Sequence, residues 1–374
     1  MIDFDAQATS VLAPEALEAM LPWLAGGHWN PHSAHRGGRQ AKAALEAARV
    51  RVAALLGGAP EGLIFTSGAT EANNLALKGL VRPGRLLTFA TEHSCVLAAA
   101  RHSGRAVTVL PVRADGMPDM AAFRAALAAG DVAMLSAMRV NNEIGSIWPV
   151  AALAAEAKAA GALVHCDAAQ GFGKLDCRLD GALAGVDLVS LSAHKMHGPK
   201  GIGALWVRPG VELRPLLDGG GQEAGVRSGT QSPALAAGFG AAAQLAAGAM
   251  AARRAAAESL MRIALDKLSA LPHRVHGPAP LGPDRWPGNL SLLVEGVDSA
   301  RLLAALPAVA LSSGAACSSG AGRPSHVLAA LGLPAAAVRA TVRLGWGSYL
   351  TAREMADGMD LLLTAALRLA KPTA

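Results

Sequence analysis

The sequence is poor in aromatic residues, which make up 3% of its 374 residues, and it contains one tyrosine. Its only cysteines are Cys95, Cys166, Cys177 and Cys317, and no two of them form a Cys-x-x-Cys pair. A chain of this length does not need disulfides, so we expect reduced thiols, no cysteine-built metal site and a cytoplasmic protein. The acidic N-terminus, Met1–Asp5, lacks the basic and apolar regions of a signal peptide.

The sequence also lacks clusters of basic residues. Its formal net charge is +6, but the lysines and arginines are scattered, which argues against nucleic-acid binding. One nearly uncharged stretch, Ser232–Ala252, is long enough to span a membrane. It is rich in Ala and Gly and continues from Arg253 to Leu268 as an amphipathic segment, so we predict a long soluble helix and no membrane association.

Apolar residues make up 52% of the chain, which is enough for a large core. The length favours two domains, and we predict a large domain over 16–250 and a smaller α+β domain from 1–15 and 251–374. Seven apolar runs, separated mostly by helix-like segments, predict an α/β domain with a mainly parallel seven-stranded sheet. These runs are Leu63–Thr66, Leu86–Ala90, Val107–Leu110, Val132–Ser136, Leu163–His165, Leu188–Ser192 and Ala204–Val207.

In the smaller region we predict strands at Asn289–Val294 and Val309–Ser312 and a terminal helix over Ala352–Leu369. In the larger region, five of the predicted strands are followed by polar clusters. Ligands of open α/β sheets bind beyond the carboxyl ends of the strands, so these clusters indicate one shared crevice. The clusters are 67–70, 91–93, 141–143, 167–170 and 192–195.

The segment Ser192–Gly201 contains a lysine, Lys195, at the end of a buried strand. Such a lysine is costly unless it is paired or used chemically. One use is to form a Schiff base with a carbonyl cofactor such as pyridoxal phosphate. The ordinary alternative is a lysine whose amine reaches out to solvent.

Two other clusters suit the same cofactor. The turn Thr66–Glu71 begins a helix whose free N–H groups favour a phosphate, although it is equally consistent with a simple helix cap. Asp167 suits a carboxylate that keeps a pyridinium nitrogen protonated, and the Gln170 amide suits the phenolic oxygen of the ring. The alternative for Asp167 is a helix cap.

Three further candidates are less specific by themselves. His93 is suited to stacking on a flat ring or relaying protons, and otherwise is an ordinary loop histidine. Asn141 and Asn142 are typical of a turn, yet their amides also suit a ring oxygen or a carboxylate. Cys317 lies in a loop of small residues, which predicts a reachable thiol, whereas we expect the other three cysteines to be inert.

Taken together, these motifs resemble the cysteine desulfurases of the NifS/IscS type, in the class V branch of fold-type I pyridoxal-phosphate enzymes. The similarity covers nearly the whole chain and follows the order and spacing of that family. The motifs that carry it are 30–33, 66–71, 92–93, 140–145, 165–170, 192–201, 227–230 and 312–319.

The resemblance implies roles for individual residues. Lys195 would carry the cofactor, His93 would stack on the ring, and Asn142 would touch substrate and cofactor. Asp167 and Gln170 would bind the ring nitrogen and phenolic oxygen. The phosphate would be held by Thr70, Ser192, His194 and, from the partner subunit of a homodimer, Thr230. Ala69 would also bind the cofactor.

The implied reaction converts L-cysteine to L-alanine and leaves the sulfur as a persulfide on Cys317. An acceptor protein would then take the sulfur, as in iron–sulfur cluster assembly. Only five residues follow Leu369, whereas iron–sulfur-type relatives carry a longer tail that helps to dock the scaffold protein, so docking to a scaffold stays open.

One position departs from the family. Ser348 stands where the family usually has an arginine that binds the substrate carboxylate, and serine cannot form a bidentate ion pair. Arg343 and, preferably, Arg139 are candidates to replace it. The alternative is a class V lyase that acts on selenocysteine or another cysteine analogue. A third hypothesis, a non-enzymatic sulfur relay, conflicts with the presence of Lys195 and Asp167.

Overall fold

The computed structural model describes residues 1–313 and 324–370. The helices in these ranges are α1 (Pro14–Ala25), α2 (Arg36–Leu56), α3 (Ala69–Lys78), α4 (Ser94–Arg101), α5 (Met120–Ala128), α6 (Val150–Ala159), α7 (Pro233–Leu268), α8 (Ser299–Ala304), α9 (His326–Ala330), α10 (Ala335–Ala340) and α11 (Ala352–Ala370). The strands are β1 (Ile2–Asp3), β2 (Leu63–Thr66), β3 (Arg85–Phe89), β4 (Val107–Leu110), β5 (Val132–Met138), β6 (Leu163–Asp167), β7 (Leu188–Ser192), β8 (Gly203–Val207), β9 (His273–His276), β10 (Asn289–Val294), β11 (Val309–Ala310), β12 (Ser312–Ser313) and β13 (Thr341–Gly345).

The predicted seven-stranded sheet is confirmed, with the strand order β2-β8-β7-β6-β5-β3-β4. Strand β8 is antiparallel to both of its neighbours, and all other pairs are parallel. Since β2 and β7 both oppose β8, they run in the same direction as β3, β5 and β6. The carboxyl ends of these five strands therefore meet at one edge of the sheet.

The central strands are rich in apolar residues because both faces of the sheet are covered. Every residue of β5 and β7 is buried. The apolar runs in the sequence predicted these strands well, and β2, β4 and β7 have the predicted bounds at both ends. Strand β5 continues two residues beyond the prediction, to Met138.

A second, antiparallel sheet with the order β12-β13-β10-β9 lies in the C-terminal part. It packs with the second half of α7 and with α11 around a separate group of buried side chains, which Phe4 from the N-terminus joins. The predicted single strand Val309–Ser312 was wrong. The segment forms β11, which pairs with β1, and β12, which pairs with β13. The domain boundary near residue 250 stays a prediction.

Helix α7 connects the two groups of buried side chains. Ser232 caps its start, where the Ser232 hydroxyl accepts the Leu235 N–H at 3.3 Å. Among the described residues α7 is the one helix long and apolar enough to cross a membrane by length and composition. It packs against α1, α2 and α11, and 56% of its most apolar window is buried inside the protein. It therefore resembles a core helix.

Candidate functional site

A cavity of about 660 Å³ lies where the carboxyl ends of the five strands meet. Ten of the residues predicted for the site line it, and together they bring amine, carboxylate, amide, imidazole and hydroxyl groups into one space. They are Ala69, Thr70, His93, Asn142, Asp167, Gln170, Ser192, His194, Lys195 and Arg343. The roles assigned to these residues stay predictions, whereas their convergence is observed.

Three of the other candidates, Thr230, Arg139 and Ser348, lie outside the lining of this cavity. Thr230 is exposed and lies outside the lining. Arg139 donates from Nε to the Asp176 carbonyl at 3.2 Å and from Nη1 to the Trp148 carbonyl at 2.6 Å. The geometry therefore gives no support to Arg139 as a substrate ligand. Cys317 lies outside the described residues.

Lys195 lies at the end of a short 3-10 turn, Ala193–Lys195, that directly follows β7. Its Nζ donates to the carbonyl oxygens of Gln7 and Ala8 at 2.6 and 2.7 Å. The N-terminal segment is held there by Ser10, whose N–H and hydroxyl both donate to the His194 carbonyl. The N-terminal segment, which is distant in sequence, thus orients the Lys195 amine within the cavity.

Asp167 ends β6 as a buried carboxylate that faces the cavity. Its two oxygens accept hydrogen bonds from Asn73 Nδ2 at 2.7 Å and from the Ala169 N–H at 2.9 Å. Within the described residues no cation forms an ion pair with it. A buried carboxylate without a cation is costly, so the arrangement favours a cationic N–H donor in the cavity.

His93 caps the start of α4, and its Nδ1 accepts the Cys95 N–H at 3.2 Å. Burial and the charges of Lys195 and His326 lower the pKa of His93 despite the neighbouring Asp167 carboxylate. A neutral imidazole that accepts at Nδ1 carries its proton on Nε2. His93 can therefore present a flat, uncharged ring to the cavity.

Cys95 also lines the cavity, although we expected it to be an inert buried residue. Its Sγ lies 3.0 Å from His93 Nδ1. Burial, followed by the Asp167 charge, raises the pKa of this thiol to about 12. Cys95 is therefore a protonated thiol, which agrees with the expected lack of reactivity.

The first turn of α3 forms the cavity wall opposite β7. The first-turn N–H groups of a helix have no acceptor within the helix and favour an anion. Gly203 of β8 allows the turn to approach the sheet closely, because a Cβ at Gly203 would lie 2.7 Å from Gly68 Cα and 2.4 Å from the Leu191 carbonyl. This close approach builds a cradle of backbone and the hydroxyls of Thr70 and Ser192.

His194 and Gln170 complete the polar lining. Burial and the charges of Lys195 and Lys200 lower the pKa of His194 to about 4, so it is a neutral hydrogen-bonding group. Gln170 donates to the Gln7 carbonyl at 2.9 Å and accepts from Lys174 Nζ at 3.1 Å. The amide is thus held between the N-terminal segment and the half-buried Lys174.

The donor set fits pyridoxal phosphate. The unpaired buried carboxylate of Asp167 suits a pyridinium N–H, and the cradle at α3 suits a phosphate. The Lys195 amine lines the same cavity and suits the aldehyde of such a cofactor. Among residues 1–313 and 324–370, no group of three or more His, Cys, Asp or Glu side chains is arranged to hold a metal ion.

Some residues around the cavity were not predicted from the sequence. Gln7 lines it and Asn73 holds Asp167, but neither residue lies in a motif that would have marked it. Lys174 follows Gln170 by four residues, which is the one signal that could have pointed to it. Nothing in the sequence marked Arg253, at the middle of α7, as a site residue except its position directly after the uncharged stretch.

Comparisons with known proteins agree with this geometry. The family model described as aminotransferase class V matches residues 2–357. The mitochondrial cysteine desulfurase of Drosophila melanogaster is 42% identical over 364 residues, which cover 94% of this chain and 78% of that protein. The cysteine desulfurase IscS of Rickettsia felis is 39% identical over 96% of this chain and 90% of its own length. A solved NifS-like protein superposes with a TM-score of 0.89 at 31% identity, and 99% of each chain is covered.

Proposed function

The chain belongs to the class V aminotransferase family and to its cysteine desulfurases of the NifS/IscS type, and from this membership we propose that it takes sulfur from L-cysteine with pyridoxal phosphate as cofactor. The observation that carries the proposal is the convergence of Lys195, Asp167 and Gln170 on one cavity. The products are L-alanine and a persulfide on Cys317.

The cofactor would be held by groups that already face the cavity. Asp167 would bind the ring nitrogen, Gln170 the phenolic oxygen, and the first turn of α3 with Ser192 and His194 the phosphate. His194 is neutral, so its contact would be a hydrogen bond and not an ion pair. When bound, pyridoxal phosphate supplies an aldehyde for the substrate amine and an electron-withdrawing ring that makes the Cα proton removable.

The remaining steps belong to the protein. The Lys195 amine, once displaced by the substrate amine, is the base that removes the Cα proton. The Cys317 thiolate attacks the substrate sulfur, so that an S–S bond forms as the Cβ–S bond breaks and the electron pair of that bond stays on the carbon. A proton then returns to that carbon, and alanine leaves.

Three finer features are part of the proposal. We propose a homodimer in which Thr230 of each copy reaches the other copy's phosphate, supported by its exposure outside the cavity lining. A sulfur-acceptor protein, as in iron–sulfur cluster assembly, would take the persulfide sulfur from Cys317. We propose the cytoplasm as the location, since Cys95, Cys166 and Cys177 are free thiols.

The test uses Lys195→Ala beside Lys200→Ala, because Lys200 lines the same cavity and provides a matched control. We expect the native protein and the Lys200 variant to be yellow and to release alanine from L-cysteine. We expect the Lys195→Ala variant to release no alanine and to carry no cofactor adduct at residue 195 after borohydride treatment. An adduct on any other lysine, found by mass spectrometry, would overturn the assignment.

Cys317→Ala separates the desulfurase from the alternative lyase. A desulfurase needs the acceptor thiol, so we expect this variant to bind the cofactor normally and to stop releasing alanine. Retained alanine release, together with a better turnover of selenocysteine or another analogue, would instead favour the lyase that Ser348 suggested.

A further inference from the structure

A second, small cavity of about 20 Å³ adjoins the first one behind Lys195, which lines both. Its volume is close to that of one water-sized group, so it accepts the end of a ligand and not a whole one. Ser348 lines this second cavity, and its hydroxyl lies 3.3 Å from His197 Nε2. Besides Lys195 and Ser348, its lining includes Lys174, His197 and Arg253.

The lining is positively charged and contains no Asp or Glu side chain among the described residues. Lys174 is half-buried and lies 6.0 Å from the centre of the Trp286 ring. Among the described residues its hydrogen bond goes to Gln170 Oε1 at 3.1 Å. Burial, with the charges of Lys195 and Arg253, lowers the pKa of Lys174 to about 7. A cation in this position lacks the anion that normally offsets its loss of water.

Arg253 reaches the same cavity from the middle of α7. Among the described residues it makes one hydrogen bond, from Nη1 to the Gly173 carbonyl at 3.2 Å, and no ion pair. Glu15 and Tyr349 lie in its electrostatic surroundings without bonding to it. Most of the guanidinium N–H groups therefore remain available for a ligand.

The other guanidinium groups near the site are already engaged. Arg343 forms an ion pair with Asp5 at 2.9 Å, and its Nη2 also donates to Ser312 Oγ at 3.2 Å. Arg139 donates to two backbone carbonyls outside the cavity. In the part of the chain that the structure describes, Arg253 thus lines a cavity with Lys195 and has no carboxylate partner.

The position of this positive charge matches the chemistry of an α-amino acid. In such a substrate the amine nitrogen and the carboxylate carbon are both bonded to Cα and lie about 2.5 Å apart. A substrate whose amine takes the place of the Lys195 amine therefore has its carboxylate close to that point. The small cavity borders the same lysine, and the largely buried Trp286 and Trp346 also line it.

We propose that Arg253, with Lys174 as the second cation of the same cavity, binds the α-carboxylate of the substrate and so supplies the charge that Ser348 cannot. This assignment rests on the proposed function. Arg253 is then a binding residue contributed by the helix that connects the two buried cores. A guanidinium can hold both oxygens of a carboxylate, which fixes the orientation of Cα over the lysine.

The test compares Arg253→Gln with Arg254→Gln, because Arg254 is the next residue on the helix and instead pairs with Glu258 at 2.9 Å. We expect Arg253→Gln to raise the KM for L-cysteine about 10- to 100-fold with a smaller change in kcat, as expected when a charge-assisted contact is lost. We expect Arg254→Gln to keep the native KM. Both variants should keep the native cofactor content.

A binding measurement isolates the carboxylate. The cofactor absorbance is titrated with L-alanine and with ethylamine, which lacks the carboxylate. We expect the native protein and Arg254→Gln to prefer alanine, and Arg253→Gln to lose most of that preference. We expect Ser348→Arg to restore it when added to Arg253→Gln. If Arg253→Gln does not fold, Arg253→Lys serves instead, with an intermediate loss of preference.

The outcomes distinguish the two proposals. If the native protein and Arg254→Gln release no alanine from cysteine, the proposed function fails. If they release alanine and the Arg253 variants match Arg254→Gln in KM and in preference for alanine over ethylamine, only the assignment of Arg253 is overturned.

Discussion

The buried ion pair between Arg49 and Glu223 provides the most discriminating test of the fold. Arg49 Nη1 and Nη2 donate to the two Glu223 oxygens at 2.7 and 3.1 Å, and the Phe65 N–H donates to the same carboxylate at 3.1 Å. The Glu223 side chain is 1% exposed, whereas Glu46, the second carboxylate on Arg49, is 49% exposed. One arginine therefore has a buried and an exposed partner.

We expect Glu223→Gln to cost about 3–5 kcal/mol, because it leaves a buried guanidinium without its anion. We expect Glu46→Gln to cost about 0–1 kcal/mol, because the exposed pair is screened by water. The assay is urea unfolding of both variants and the native protein. We expect the double variant Arg49→Gln/Glu223→Gln to lose less than the sum of its single variants.

Equal losses for the two glutamate variants, or strict additivity in the double variant, would refute this reasoning.

The Glu223→Gln substitution also has a functional consequence. Glu223 also accepts Gln231 Nε2 at 2.7 Å, and Arg227 of the same loop pairs with Glu71 at the start of α3 at 2.7 Å. Since Thr230 belongs to this loop, we also expect Glu223→Gln to release cofactor faster than Glu46→Gln.

Three further predictions concern buried titratable groups. Because burial lowers the pKa of Lys174 to about 7, the unfolded chain binds more protons between pH 7 and its ordinary pKa. Lys174→Met should therefore stabilise the protein by roughly 3–5 kcal/mol at pH 6 and progressively less toward pH 10 in urea unfolding. Lys200→Met, at an exposed position, should show no such trend. Burial lowers the pKa of His165 to about 4, so the free energy of unfolding should fall as the pH drops from 6.5 to 4. His165→Gln should remove up to about 3 kcal/mol of that loss. Identical acid unfolding profiles for the variant and the native protein would contradict this. Burial raises the pKa of the Cys95 thiol to about 12, so this thiol should react far more slowly with iodoacetamide at pH 8 than an exposed thiol does. Peptide mass spectrometry measures the labelling, and rapid labelling of Cys95 would contradict the prediction.

The sequence predicted the sheet well because its signal is local. Strands buried on both faces are rich in apolar residues, so the runs that became β2 and β7 could be recognised with their bounds. The bounds of β4, a partly exposed strand at the sheet edge, were also predicted. The polar clusters after five strands also predicted the main cavity. Parallel strands place their carboxyl ends at one edge, so convergence follows from the topology alone.

The position of Arg139 outside the cavity lining has a reason that the sequence itself contains. Along an extended chain successive side chains alternate between faces. Met138, Val140 and Asn142 line the cavity, and Arg139 and Asn141 between them do not. Asn141 instead forms the turn, since its Oδ1 accepts the N–H groups of residues 143 and 144. This alternation explains why Asn142 faces the cavity and Arg139 does not.

Arg253 could not have been predicted in this way, because its position depends on how α7 joins two cores. Ala246 on α7 belongs to the core of the large sheet, and Ala257 belongs to the C-terminal core. Residue 253 lies between them, where the helix passes the end of Lys195. A charge carried by a helix fixed at both ends is held more rigidly than a charge on a loop. Position 348 follows β13 and precedes α11, outside both elements. With Arg253 as the carboxylate ligand, the orientation of the substrate depends on the packing of α7 against both cores, and a small residue at 348 leaves that side of the cavity open.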